Sequence, residues 1–96
     1  QGFSQAKKVA DLAELYEMNI APHNYTSHLA TFQSLQFTAM VPNVRIMETD
    51  IDSSPWRDDL TTAVPELKDG YMTIPDGPGW GCDLNESAAE KHAYNG

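Results

Sequence analysis

His23 follows a short apolar run, Met18 to Pro22, and Glu48 closes a second one, Val44 to Met47. If both runs are strands of a parallel α/β fold, polar groups just past their carboxyl ends converge on one face. The two side chains then stand one strand–helix unit apart and become neighbours there. Imidazole titrates near neutral pH, so a His beside a carboxylate suits proton transfer. Each residue also has a plainer reading: a structural loop His after a proline, and a solvated Glu at a strand end. Asn24, next to His23, either faces a substrate or makes a local turn.

The remaining reactive side chains read as structural. His28 stands near the start of a helix, and His92 belongs to a solvated surface. Asp50 and Asp52 lack the spaced oxygen donors of a cation loop. Cys82 has no basic neighbour to lower its pKa and reads as inert. Trp56 and Trp80 fit packing anchors. Arg57 fits a surface ion pair better than an anion site.

These candidates need elements to hold them. Ser4 can cap a helix running to about Glu17, with Ala6, Val9, Ala10, Ala13 and Tyr16 on one stripe. Thr26 or Ser27 can cap a second helix from about His28 to Met40, stopped by Pro42-Asn43. Its apolar residues point nearly all round, so it must be covered on more than one side. Pro55-Trp56 opens a helical turn. Asp69-Gly70 between Glu66-Leu67-Lys68 and Tyr71-Met72-Thr73-Ile74 signals a tight hairpin. Residues 75–81 form an irregular loop, and Asn85 can cap a short helix ending near His92.

The order helix, strand, helix, strand leaves about 20 residues between the strands, which suits a parallel crossover. Parallel strands are buried on both faces and need neighbours. Two short ones cannot offset a backbone ordering cost of about 1–2 kcal/mol per residue. The sequence therefore describes the end of a larger parallel α/β fold. The alternative is a small α+β domain that binds a partner through its apolar helix and performs no catalysis.

The chain has 96 residues, 41% hydrophobic and 21% charged, with a net charge of −8. That charge opposes binding to nucleic acid or to an anionic membrane, since both need a basic face. No apolar run approaches the length of a membrane span. Gln1-Gly2-Phe3 does not read as a signal peptide; without an initiator Met, it reads as a cut or processed end. One cysteine rules out an internal disulfide framework, and a reduced, cytoplasmic setting follows by default.

Taken in order, Ala21-Pro22-His23-Asn24, Thr26-Ser27-His28-Leu29, Val41-Pro42-Asn43 and Met47-Glu48 resemble the end of the mandelate racemase and muconate lactonizing enzyme family of the enolase superfamily. Asp69-Gly70 and Ile74-Pro75-Asp76-Gly77-Pro78-Gly79-Trp80-Gly81 extend the likeness, which covers roughly Gly2 to Ala93. The last segment is similar to the family's Pro-Gly-Leu-Gly loop, with Trp80 in place of Leu. Acid-sugar dehydratases and aldarolactone cycloisomerases are the most similar branch.

The resemblance implies a modified TIM barrel, (β/α)7β, with an α+β capping domain. Residues 1–74 would supply strands seven and eight, and residues 75–96 a tail packing toward the cap. It implies a Mg²⁺-dependent enzyme that abstracts the proton α to a carboxylate and dehydrates a sugar acid, or a racemase or cycloisomerase built from the same parts. His23 matches the seventh-strand acid/base, which in the family works in a dyad with an Asp of the sixth strand that lies outside this chain. Glu48 matches the eighth-strand residue that holds the substrate carboxylate or its enolate. Asn24 is the candidate substrate contact. The metal ligands would lie outside this chain, so the chain is not expected to act alone. The rest of the barrel and the cap become its partner, and the full enzyme is expected to be a homo-oligomer.

Overall fold

The structure, a computed structural model, describes residues 2–52 and 54–94. The first helix, α1, spans Phe3–Leu15, and its N-cap is Gly2, which makes no side-chain capping bond. Ser4 therefore lies inside the first turn and does not cap the helix. The earlier start has a packing cause. Phe3 meets Phe37 edge-on at 5.7 Å between ring centroids and tilts against Trp80 at 5.3 Å. The helix ends earlier than the apolar stripe predicts. Glu17 takes a left-handed φ of 55°. Its N–H bonds Glu14 O, and the Met18 N–H bonds Ala13 O, both at 2.9 Å. This paired closure satisfies the last carbonyls and turns the chain away.

Helix α2 spans His28–Met40, capped by Ser27, whose side chain accepts from the Ala30 N–H. It joins two apolar clusters. Phe37, with Val41 just beyond the helix, packs on Ala10 of α1. Phe32 and Leu35 pack on Cys82, with Trp80 and Met72 against them. The near-continuous apolar surface of the sequence is thus used on more than one side.

Between α1 and α2, and again after α2, the chain runs extended. The two expected strands shrink to one parallel bridge, Ile20 with Val44. The bonding explains why. Ile20 N–H donates to Asn43 O and Arg45 N–H to Ile20 O, the slanted pattern of parallel pairing. Further on, Glu48 N–H donates to Pro22 O and Asp50 N–H to Asn24 O. Two steps along the first run thus correspond to three along the second, so one extra residue is accommodated between Arg45 and Glu48. Pro22 has no N–H to restore the ladder. The parallel relation survives, but regular strand geometry does not.

A 3-10 turn at Asp58–Leu60 follows. Strands β1 (Leu67–Lys68) and β2 (Tyr71–Met72) form the expected hairpin, with Leu67 opposite Met72. Asp69 and Gly70 both have positive φ, 52° and 79°, as a tight hairpin turn requires. In the next loop, Gly81 has φ 84°, and a Cβ there would stand 2.5 Å from the Pro75 side chain. Only glycine fits. Gln36 Nε2 fastens this loop to α2 by donating to Pro75 O at 2.9 Å. Residues 83–85 pair with residues 60–62, through Thr62 N–H to Asp83 O and Asn85 N–H to Leu60 O. Helix α3, Glu86–Lys91, begins at its Asn85 cap. No helix is long and apolar enough to cross a membrane among the described residues.

Candidate active site

The shifted register decides where the two candidate groups meet. With Pro22 abreast of Met47 and Asn24 abreast of Thr49, His23 stands abreast of Glu48. Abreast residues on adjacent extended segments project to the same side. His23 Nδ1 accordingly lies 2.5 Å from Glu48 Oε2. Both side chains are open to solvent, 74% and 49% exposed. With Nδ1 engaged, Nε2 is the ring nitrogen left for another molecule. A carboxylate across Nδ1–H fixes that tautomer and leaves Nε2 free to exchange a proton with another molecule.

His23 also lines an open cleft of about 680 Å³ between α1, α2 and the first extended segment. Phe3, Phe37 and Trp80 form apolar walls, while Asn24, Thr26 and Gln33 add polar groups. Glu48 is not part of that lining; it reaches His23 from the neighbouring segment.

Asn24 reaches the same cleft but is buried, only 3% exposed. Its Nδ2 donates to Thr31 Oγ1 at 2.7 Å, and that hydroxyl donates to Ser27 O at 3.1 Å. The chain of bonds ties the segment carrying His23 to the first turn of α2. Tyr25 was not singled out by the sequence. Its ring stacks on His23, with centroids 5.0 Å apart and planes 17° apart. The available signal was an aromatic two residues after the His, on the same side of an extended segment.

The other candidates are structural. His28 Nε2 bonds Asp58 Oδ1 at 2.6 Å, tying α2 to the 3-10 turn. Arg57 pairs with Asp50 at 3.3 Å, but the two side chains are only 11% and 20% exposed, so this is a covered pair and not the surface pair expected. Asp50 Oδ1 also accepts from the Asp52 N–H at 2.8 Å. Trp80 is a packing anchor, whereas Trp56 is part-exposed and stacks on His92 at 5.5 Å. Burial pushes the Cys82 thiol up, and the Asp83 charge adds to the effect, so it stays protonated and unreactive. Among the described residues, no group of three or more His, Cys, Asp or Glu side chains could hold a metal ion.

Known proteins resemble this chain in sequence and fold. A family model described as "Enolase C-terminal domain-like" matches residues 1–88. D-xylonate dehydratase of Haloferax volcanii is 35% identical over 95 residues, covering 99% of this chain and 23% of that enzyme. D-galactarolactone cycloisomerase of Agrobacterium fabrum is 39% identical over 95 residues, covering 91% of this chain and 25% of that enzyme. A crystal structure from Burkholderia xenovorans strain LB400, described as an L-alanine-DL-glutamate epimerase bound to magnesium and fumarate, superposes with a TM-score of 0.91. It is 48% identical and covers 95% of this chain and 23% of that one. The chain thus spans about a quarter of the length of the curated relatives it matches.

Proposed function

This chain belongs to the enolase C-terminal domain-like family, and on that premise we propose that it carries part of the acid/base apparatus of a larger sugar-acid dehydratase. In this reading, residues 1–74 provide the last helix–strand units of a (β/α)7β barrel, and residues 75–96 run toward a capping domain. The substrate is a small carboxylate bearing hydroxyls on both the α carbon and the carbon next to it. The proposal rests above all on the His23 Nδ1 to Glu48 Oε2 contact at 2.5 Å, made at the ends of two parallel segments.

The chemistry then follows from which atoms are committed. A base outside this chain takes the α proton, and the C–H electron pair moves into the carboxylate to give an enolate. Collapse of the enolate breaks the bond to the β hydroxyl. His23 Nε2 delivers a proton to that oxygen, so water leaves and an enol remains, which converts to a 2-keto acid. Glu48 holds Nδ1–H with Oε2 and offers Oε1 to the substrate carboxylate or its enolate. Asn24, the candidate substrate contact, serves by fixing the His23 segment to α2 through Thr31.

The B. xenovorans structure is described with magnesium bound, and a Mg²⁺ ion supplies Lewis-acid stabilisation of developing enolate charge. The residues described in this chain offer no three-ligand cluster for it. In this reading, as the family resemblance implies, its ligands lie on polypeptide outside this chain. The D-galactarolactone cycloisomerase relative, at 39% identity, supports a second reading in which the same pair protonates an enolate carbon instead of a leaving hydroxyl.

Replacement of His23 tests the assignment. In the complete enzyme, His23→Asn should lower turnover on the true substrate by about 10²–10⁴-fold. Circular dichroism should be unchanged, because this exposed ring is not core. Full activity in that variant would return His23 to a structural role.

A further inference from the structure

We propose that Tyr25 is a positioning residue for His23, clamping the imidazole by stacking so that Nε2 is held on one line of approach. This rests on the acid/base reading of His23 above. The Nδ1 to Glu48 contact is one point of attachment. A ring held at one nitrogen still swings about that bond, and the side chain is 74% exposed within this chain, so the chain's general packing does not fix its plane. The structure supplies the missing constraint from the same segment. Tyr25 lies two residues on, on the same side of the extended backbone. Its ring lies 5.0 Å from the imidazole at an interplanar angle of 17°. That separation is within the range of favourable offset stacking. The hydrogen bond fixes the direction of Nδ1, and the stack fixes the plane of the ring; together they leave Nε2 one orientation.

Both rings line the same cleft, so the clamp sits where the proton must travel. A small loss of alignment at a proton-transfer atom costs rate in the chemical step, not in binding. The contribution of an aromatic pair corresponds to a factor of about 2 to 12 in rate.

The experiment uses the complete enzyme that contains this chain, with three variants. Tyr25→Ala should lower kcat by about 2- to 12-fold and leave KM unchanged. Tyr25→Phe keeps the ring and should recover the turnover lost in Tyr25→Ala. In histidine-labelled NMR spectra, the His23 ring protons, identified by their loss in His23→Asn, should move downfield in Tyr25→Ala as ring shielding is lost. They should stay near their original position in Tyr25→Phe. Three results would each overturn the proposal: unmoved His23 resonances in Tyr25→Ala, a phenylalanine variant as impaired as the alanine one, or a change confined to KM. The His23→Asn arm separates the two readings. If that variant turns over normally, the acid/base assignment fails whatever the spectra show. If it is inactive while Tyr25→Ala is normal in rate and spectrum, only the clamp fails.

Discussion

A carboxylate that holds an imidazole with one oxygen has its charge and a second oxygen to give. Glu48 stands in that position, Oε2 on His23 Nδ1. Replacing it by Gln keeps the size and an accepting oxygen but removes the negative charge beside the ring. Glu48→Gln should therefore lower kcat/KM of the complete enzyme by about 10²-fold, the scale on which one electrostatic stabiliser acts. Steady-state kinetics checks this, and an unchanged kcat/KM would show that the negative charge has no part in the reaction. The meeting of His23 and Glu48 was legible in the sequence because each ends a short apolar run and the runs are one crossover apart. The sequence could not show that Asn24 is committed to Thr31 or that Tyr25 covers His23. Those facts depend on which way side chains turn, and a sequence pattern fixes faces but not rotamers.

Three segments are gathered by one buried side chain at the level of elements. Asn43 Nδ2 donates to Ala10 O at 2.9 Å and to Met18 O at 3.2 Å. It thereby pins α1, the segment leading to His23 and the segment leading to Glu48. Asn43→Leu is close in size but leaves both carbonyls without this donor, at about 1–3 kcal/mol for a buried group left unsatisfied. The Ile20 and Arg45 amides bond across the parallel bridge. They should exchange with deuterium faster in Asn43→Leu than in the parent enzyme; equal exchange rates would remove Asn43 from this role. Helix α2 was readable end to end, because Ser27, one of the two candidate caps, caps it and Pro42-Asn43 follows its end at Met40. The start of α1 was not. Phe3 enters the helix to reach Phe37 and Trp80, and such distant packing overrides a local capping signal. The strands were readable as a parallel pair but not as a single bridge. The extra residue between Arg45 and Glu48 leaves no mark on an apolar run.

Taken as a whole, the molecule leaves much of its apolar surface uncovered. Its accessible surface is 7127 Å², against about 5,500 Å² for a compact monomer of this mass. Its radius of gyration is 14.7 Å, against about 13 Å for a compact domain of about 100 residues. Part of the excess lies along α1 and the segments after it. Val9, Leu12, Leu15, Tyr16 and Met18 are exposed along α1 and its exit, and Ile46 is exposed on the second extended segment. The buried apolar residues form two small clusters joined through α2 and not one closed core. Parallel segments of this kind are stable when neighbours cover both faces, and the proposed barrel supplies such neighbours. The 96-residue chain produced alone should bind a hydrophobic dye, aggregate in a concentration-dependent way and show no cooperative thermal transition. Produced together with the polypeptide that completes the barrel, it should give a soluble complex that melts cooperatively and no longer binds the dye. Analytical ultracentrifugation and calorimetry of the two preparations make the comparison. A monodisperse monomer of the isolated chain that unfolds cooperatively would show that the two clusters suffice. The chain would then be a self-standing domain, as the non-catalytic alternative requires.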